Sequence, residues 1–134
     1  MTIRLNTEAI RIVALFEQIT GVAVKDCITD NDSVYFLVEP KKLGLAIGKG
    51  GVTIKTLKKM LGREIKVFEY ADTPQGLIKN LIPQAREIKI NNDQAEIQVN
   101  FKDRAAVIGR GGKNINMVKE FLYRMFKIKD IRLR

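Results

Sequence analysis

The sequence predicts an α+β protein built from two like units in tandem, residues 1–72 and 73–134. Three observations carry this expectation. First, residues 22–61 align with residues 83–122 at a constant offset of 61, without a gap. The identical pairs include Asp32/Asp93, Val38/Val99, Lys41/Lys102, Ile47/Ile108, Gly48/Gly109, Gly50/Gly111, Gly51/Gly112, Ile54/Ile115, Lys58/Lys119 and Leu61/Leu122. Apolar character also matches at Phe36/Ile97 and Leu57/Val118. Two copies make a duplicated domain rather than a solenoid. Second, each copy reads in the same order: helix, strand, strand, short helix, glycine loop, helix, strand. Third, hydrophobic residues make up 46% of the 134 residues, enough for a core. Units of roughly 65 residues are near the lower limit of independent stability, so the two are expected to pack together.

The elements follow in order. Asn6 or Thr7 can cap a helix that runs to about Ile19, with Ala9, Ile12, Val13 and Phe16 as its apolar stripe and Gly21 as its stop. Val22 to Ile28 reads as a strand, Asp30-Asn31-Asp32 as a turn, and Val34 to Val38 as the second arm of a hairpin. Phe36 and Val38 fall on one face, and Pro40 closes the strand. Lys41 to Ile47 reads as a short helix. Val52 to Leu61 is the next one, with Ile54, Leu57 and Leu61 on one side and Gly62 ending it. Glu64 to Tyr70 is a strand in which Ile65, Val67 and Glu69 alternate. Asp72-Thr73-Pro74 is a short boundary, so the units are not expected to tumble freely. The second copy gives a helix from Gln75 to Ile82, a strand from Ala85 to Ile90, a turn at Asn91-Asn92-Asp93 and a strand from Glu96 to Phe101. Lys102 to Ile108 is its short helix. Lys113 to Phe126 follows with Ile115, Val118, Leu122 and Met125 inward, and Ile128 to Leu133 is the final strand.

Charge points to a polyanion partner. The net charge is +9. Residues 1–72 carry 11 basic and 9 acidic side chains, and residues 73–134 carry 13 and 6. There is no His, one Cys (Cys27) and one Ser (Ser33). Disulfides within the chain, His/Cys zinc sites and His-dependent triads are thereby excluded. Cys27 sits in an apolar run and is expected in the core. With no paired catalytic carboxylates or activated nucleophile in view, no enzyme is expected, and no metal or other cofactor. Met1-Thr2-Ile3-Arg4 reads as an unprocessed start. No signal peptide and no apolar run long enough to span a membrane are seen, so a reducing, cytoplasmic setting without a membrane partner is the expectation, with a monomer favoured.

The chemistry concentrates at Gly48-Lys49-Gly50-Gly51 and Gly109-Arg110-Gly111-Gly112. Each tetrad follows an apolar stretch ending in Ile and precedes a helix. Glycine permits positive φ and removes the Cβ that would hold a ligand away. The helix start behind it offers unpaired N–H groups. A nucleotide-binding loop of the Walker type fails on spacing: three residues separate Gly44 from Gly48, and Gly50 stands where Ser or Thr is needed. The tetrad also lacks the last glycine of G-x-G-x-x-G. A tight helix-to-helix turn alone would not call for Lys49 and Arg110 at matched positions. Lys55 and Lys58 after the first loop, and Lys113, Asn114 and Lys119 after the second, fall within reach of a strand crossing the loop. Lys59 is either such a contact or a solvated charge. Aromatics are few, at 7%, so base stacking is not expected to dominate.

The paired tetrads resemble the G-x-x-G loop of KH domains, which clamp about four nucleotides of single-stranded nucleic acid. The element order resembles the type II arrangement of that fold. The resemblance implies a three-stranded sheet with helices packed on one face in each unit. It also implies an aliphatic groove floor, to which Ile47, Ile54, Ile108 and Ile115 would contribute, Ile47 and Ile108 most. Two such units, with little else in 134 residues, resemble the archaeal NusA-like transcription factors over nearly the whole chain. Bacterial NusA has further polymerase-binding and OB-fold modules for which these residues leave no room. The resemblance implies binding of nascent single-stranded RNA in transcription termination or antitermination, with RNA polymerase as a possible further partner. A protein-interaction scaffold on polymerase or the ribosome, with only weak RNA contact, is the alternative from another class.

Overall fold

The computed structural model describes residues 6–134. The expected unprocessed start, Met1 to Arg4, lies outside the described residues. Contacts divide the chain into two compact units, Met1–Tyr70 and Ala71–Arg134. Each carries one three-stranded mixed sheet and helices, an α+β fold.

In the first unit the order is α1 (Thr7–Thr20), β1 (Val24–Thr29), β2 (Ser33–Val38), α2 (Leu43–Ile47), α3 (Val52–Leu61) and β3 (Glu64–Glu69). Asn6 caps α1, its side chain accepting from the Ala9 N–H at 2.8 Å. Gly21, in the left-handed region, ends it by donating to the Glu17 carbonyl. β2 is the central strand, antiparallel to β1 and parallel to β3. The period-2 alternation of β2 sets the core. Val34, Phe36 and Val38 share the face that meets Ile12, Val13 and Phe16 of α1, Ala46 of α2 and Leu57 of α3. Phe16 and Phe36 stack there with ring centroids 4.0 Å apart. Cys27, paired opposite Phe36, is buried in the same cluster.

The second unit repeats this as α4 (Pro74–Leu81), β4 (Glu87–Asn91), β5 (Gln94–Gln98), α5 (Arg104–Ile108), α6 (Lys113–Phe126) and β6 (Asp130–Leu133). Thr73 caps α4 by accepting from the Gly76 N–H, and Pro74 takes the first helical position, where its missing N–H costs nothing. β5 is central, with β4 antiparallel and β6 parallel.

Several expected boundaries are corrected. β1 begins at Val24, yet Val22 is buried in the loop before it. β6 begins at Asp130, and Ile128 is likewise buried outside the strand. An apolar residue needs a covered position, not a strand ladder, so hydrophobicity overran both starts. The strand expected from Glu96 to Phe101 is instead Gln94–Gln98, and Phe101 opens a 3-10 turn. On α6 the buried residues are Met117, Val118, Phe121 and Leu122, while Ile115 and Met125 are only half-buried.

Candidate nucleic-acid interface

The two glycine tetrads join α2 to α3 and α5 to α6. Each passes through a single 3-10 turn, Lys49–Gly51 or Arg110–Gly112. Gly48 (φ 80, ψ 166) and Gly109 (φ 78, ψ 167) adopt a combination essentially reserved for glycine. Space explains the demand as much as torsion does. A Cβ built on Gly48 would lie 2.4 Å from Thr53 Oγ1 and 3.1 Å from the Thr53 nitrogen. One on Gly109 would lie 2.9 Å from both the Cβ and the nitrogen of Asn114. The first glycine of each tetrad is therefore where the chain passes against the start of the next helix. Gly48 N–H donates to the Gly44 carbonyl, and Gly51 N–H donates back to the Gly48 carbonyl, both at 3.0 Å. Gly109 and Gly112 repeat the pattern at 2.9 and 3.1 Å.

The third position differs in kind. Gly50 (φ 65) and Gly111 (φ 64) are left-handed, but a Cβ there would meet nothing within 4 Å. Open space lies over the tips. Lys49 and Arg110 stand beside them, both exposed. A ligand backbone could approach these tips closely, with a cation at hand.

The remaining expected contacts are placed as follows. Ile47, Ile54, Ile108 and Ile115 are all half-buried, part core and part surface. Lys55 and Lys59 are exposed. Lys58 is exposed but already ion-paired, its Nζ 2.8 Å from Glu64 Oε1. Its counterpart Lys119 is exposed, and Lys113 is half-buried. Asn114 serves the fold: its Nδ2 donates to the Val107 carbonyl at 2.9 Å, bracing α6 against the end of α5. Thr53 is its counterpart in the sequence of the first unit.

Some surface near the loops escapes sequence reasoning. Leu45 and Val52, flanking the first tetrad, are 59% and 57% exposed. Their counterparts are Ala106 and Lys113. Aliphatic residues beside a glycine loop read as core, and only three-dimensional placement shows otherwise. An open concavity of about 700 Å³ beside α3 is lined by Lys55, Lys58, Lys59 and Arg63 together with Asp32 and Glu64. In the second unit Asn116 and Glu120 replace Lys55 and Lys59, and Glu120 pairs with Arg124 at 2.9 Å. Among the described residues no group of His, Cys, Asp and Glu could hold a metal ion, and no helix is long and apolar enough to cross a membrane.

Known proteins share this arrangement. Residues 10–82 match the KH domain family. A protein of Halobacterium salinarum described as "Probable transcription termination protein NusA" is 37% identical over 138 residues, covering 99% of each chain. The protein of Methanocaldococcus jannaschii with the same description is 34% identical over 98% of this chain and 75% of its own length. The crystal structure of APE1850 superposes with a TM-score of 0.79 at 35% identity, covering 97% of this chain and all of that one.

Proposed function

The chain belongs to the NusA-like family of KH-domain proteins, and on that premise we propose that it binds nascent single-stranded RNA through both G-x-x-G loops in transcription termination or antitermination. The observation that carries the assignment to the loops is their shared build. Both tips are exposed, with nothing over Gly50 or Gly111 and a cation beside each. Phosphates of the RNA pass over the tips, within reach of Lys49 and Arg110. Bases turn toward the half-buried isoleucines, which offer an aliphatic floor. Lys55, Lys59, Lys113 and Lys119 add charge along the helices that follow. RNA polymerase is the further partner that this reading names.

Bases can be splayed onto such a floor from a single strand but not from a duplex. Binding should therefore be single-strand selective. Affinity should fall with salt, with a log–log slope of about −0.7 for each phosphate neutralised. Competition titrations with single-stranded and duplex RNA of equal length, repeated over a salt series, test this. Equal competition by duplex, or affinity indifferent to salt, would overturn this reading of the loops.

A further inference from the structure

Phe101 is 92% exposed, far beyond any other exposed large apolar side chain among the described residues. Its position follows from how the chain leaves the sheet. β5 ends at Gln98, Val99 is buried, and residues Phe101–Asp103 form a 3-10 turn that runs straight into α5. Three residues per turn followed by 3.6 per turn align Phe101, Arg104 and Ile108 along one side of this rod. Arg104 is tied down, its Nη2 donating to the Leu133 carbonyl at 3.1 Å. Ile108 is half-buried and adjoins Gly109. The base of the turn is also fixed: Arg86 Nη1 donates to Asn100 Oδ1 at 2.9 Å.

Ala105 and Ala106, the exposed residues of α5, stand about 100° and 200° around the helix from Arg104, so on the side between the ring and Ile108 the chain presents Arg104 itself. This side thus runs from Ile108 over the half-buried, tied-down Arg104 to a standing phenyl ring. Its length along the rod is about 12 Å. That lies within the span of the roughly four nucleotides that such a loop clamps. Lys102, next to the ring, is exposed and can meet the phosphate of the same nucleotide.

We propose that Phe101 is a stacking platform for one nucleobase of the RNA held at Gly109–Gly112, which makes it an RNA-contacting residue of the second unit alone. This rests on the reading that RNA lies at that loop. A protein ligand fits less well. Interface anchors sit inside a ring of further contacts that exclude water, whereas Phe101 is 92% exposed beside charged, exposed residues: Lys102 follows it and Arg86 is bonded to Asn100 before it. One isolated ring suits one flat aromatic ligand. Every base has a π-face, so the platform adds affinity with little sequence demand and favours a purine over a pyrimidine. The first unit has Pro40 at the matching position and no such ring.

The test is equilibrium binding of a single-stranded RNA of about ten nucleotides to the full chain, as wild type, Phe101→Ala, Phe101→Trp and the double variant Arg110→Asp/Gly111→Asp. Phe101→Ala should weaken binding roughly five- to a hundredfold, while Phe101→Trp binds at least as well as wild type. Thermal melts should coincide, because the ring is already in water. An abasic nucleotide walked along the RNA should reveal one position at which wild type falls to the level of Phe101→Ala and that variant falls no further. If Phe101→Ala binds within twofold of wild type while the loop variant loses binding, the stacking proposal is overturned and the loop reading stands. If the loop variant also binds like wild type, RNA does not lie there and both fall.

Discussion

The two glycine loops agree in backbone angles to within a few degrees at every matched glycine, but the helices that leave them do not agree in length. α3 stops after 10 residues at Gly62, in the left-handed conformation. At the matching position the second unit has Tyr123, which cannot take that conformation cheaply, so α6 runs to 14 residues. It ends at Lys127, itself left-handed at φ 59. The difference teaches what each feature answers to. Loop geometry is held by exclusion: the glycine-only torsion and the helix start packed against the first glycine leave one solution. A glycine ends α3, whereas α6, with Tyr123 at that place, runs on until Lys127 is held left-handed. The surroundings of the loops were free to differ as well, with Leu45 and Val52 around one, Ala106 and Lys113 around the other, and Phe101 only in the second unit.

The sharpest way to break the comparison is at the first glycine. Gly48→Ala and Gly109→Ala should each lower stability by about 2–4 kcal/mol, combining a glycine-only torsion with a clash against the following helix. Gly50→Ala and Gly111→Ala should lose only about 1 kcal/mol, because torsion alone is at stake. Urea titrations of the four variants decide it. Equal losses at both positions would mean that exclusion does not fix the loop.

Next in size is binding. Lys49→Asp/Gly50→Asp and Arg110→Asp/Gly111→Asp both place acids at exposed tips, so stability should fall by no more than the torsional cost of about 1 kcal/mol while RNA affinity drops. An RNA long enough to engage both loops of one chain should bind roughly a hundredfold more tightly than one covering a single loop, and either double variant should abolish that gain. With net +7 against +2, the second unit left alone should keep more affinity than the first. A wild-type affinity that plateaus at single-loop length would leave two independent sites, or one.

The smallest effect concerns the helix ends. Lys127→Gly should stabilise by up to about 1 kcal/mol, since glycine takes the left-handed position freely. Part of that gain is offset by the cation–π contact of Lys127 Nζ over the Tyr123 ring, at 5.4 Å. Gly62→Ala should destabilise by a similar amount. A calorimetric melt that moves the same way for both would refute the account of helix length.

Much of this molecule is legible in its sequence. The stripe Ala9, Ile12, Val13 and Phe16 is buried as its spacing requires, because helical periodicity is a local property. The paired glycine tetrads are legible because a torsion that only glycine takes leaves its mark on the sequence. What escapes depends on contacts distant in sequence or on the last residue of a strand. Phe101 reads as the end of a strand, because aromatic residues favour strands and nothing nearby announces a 3-10 turn. The bond of Asn114 to the Val107 carbonyl escapes because it exists only once the loop has closed. The pairing of Lys58 with Glu64 depends on how α3 turns back into β3.

Cys27 lies in the core of the first unit, 2% exposed, and is the only thiol of the chain. A reagent that alkylates thiols can reach it only when the Phe16–Phe36 cluster opens, and the second unit has nothing to react. The labelling rate of native protein is thus a clock for breathing of the first unit alone. If RNA held at the first loop rigidifies that unit, the clock slows, and ligands confined to the second loop need not affect it. The molecule carries its own chemical reporter, already placed in one half.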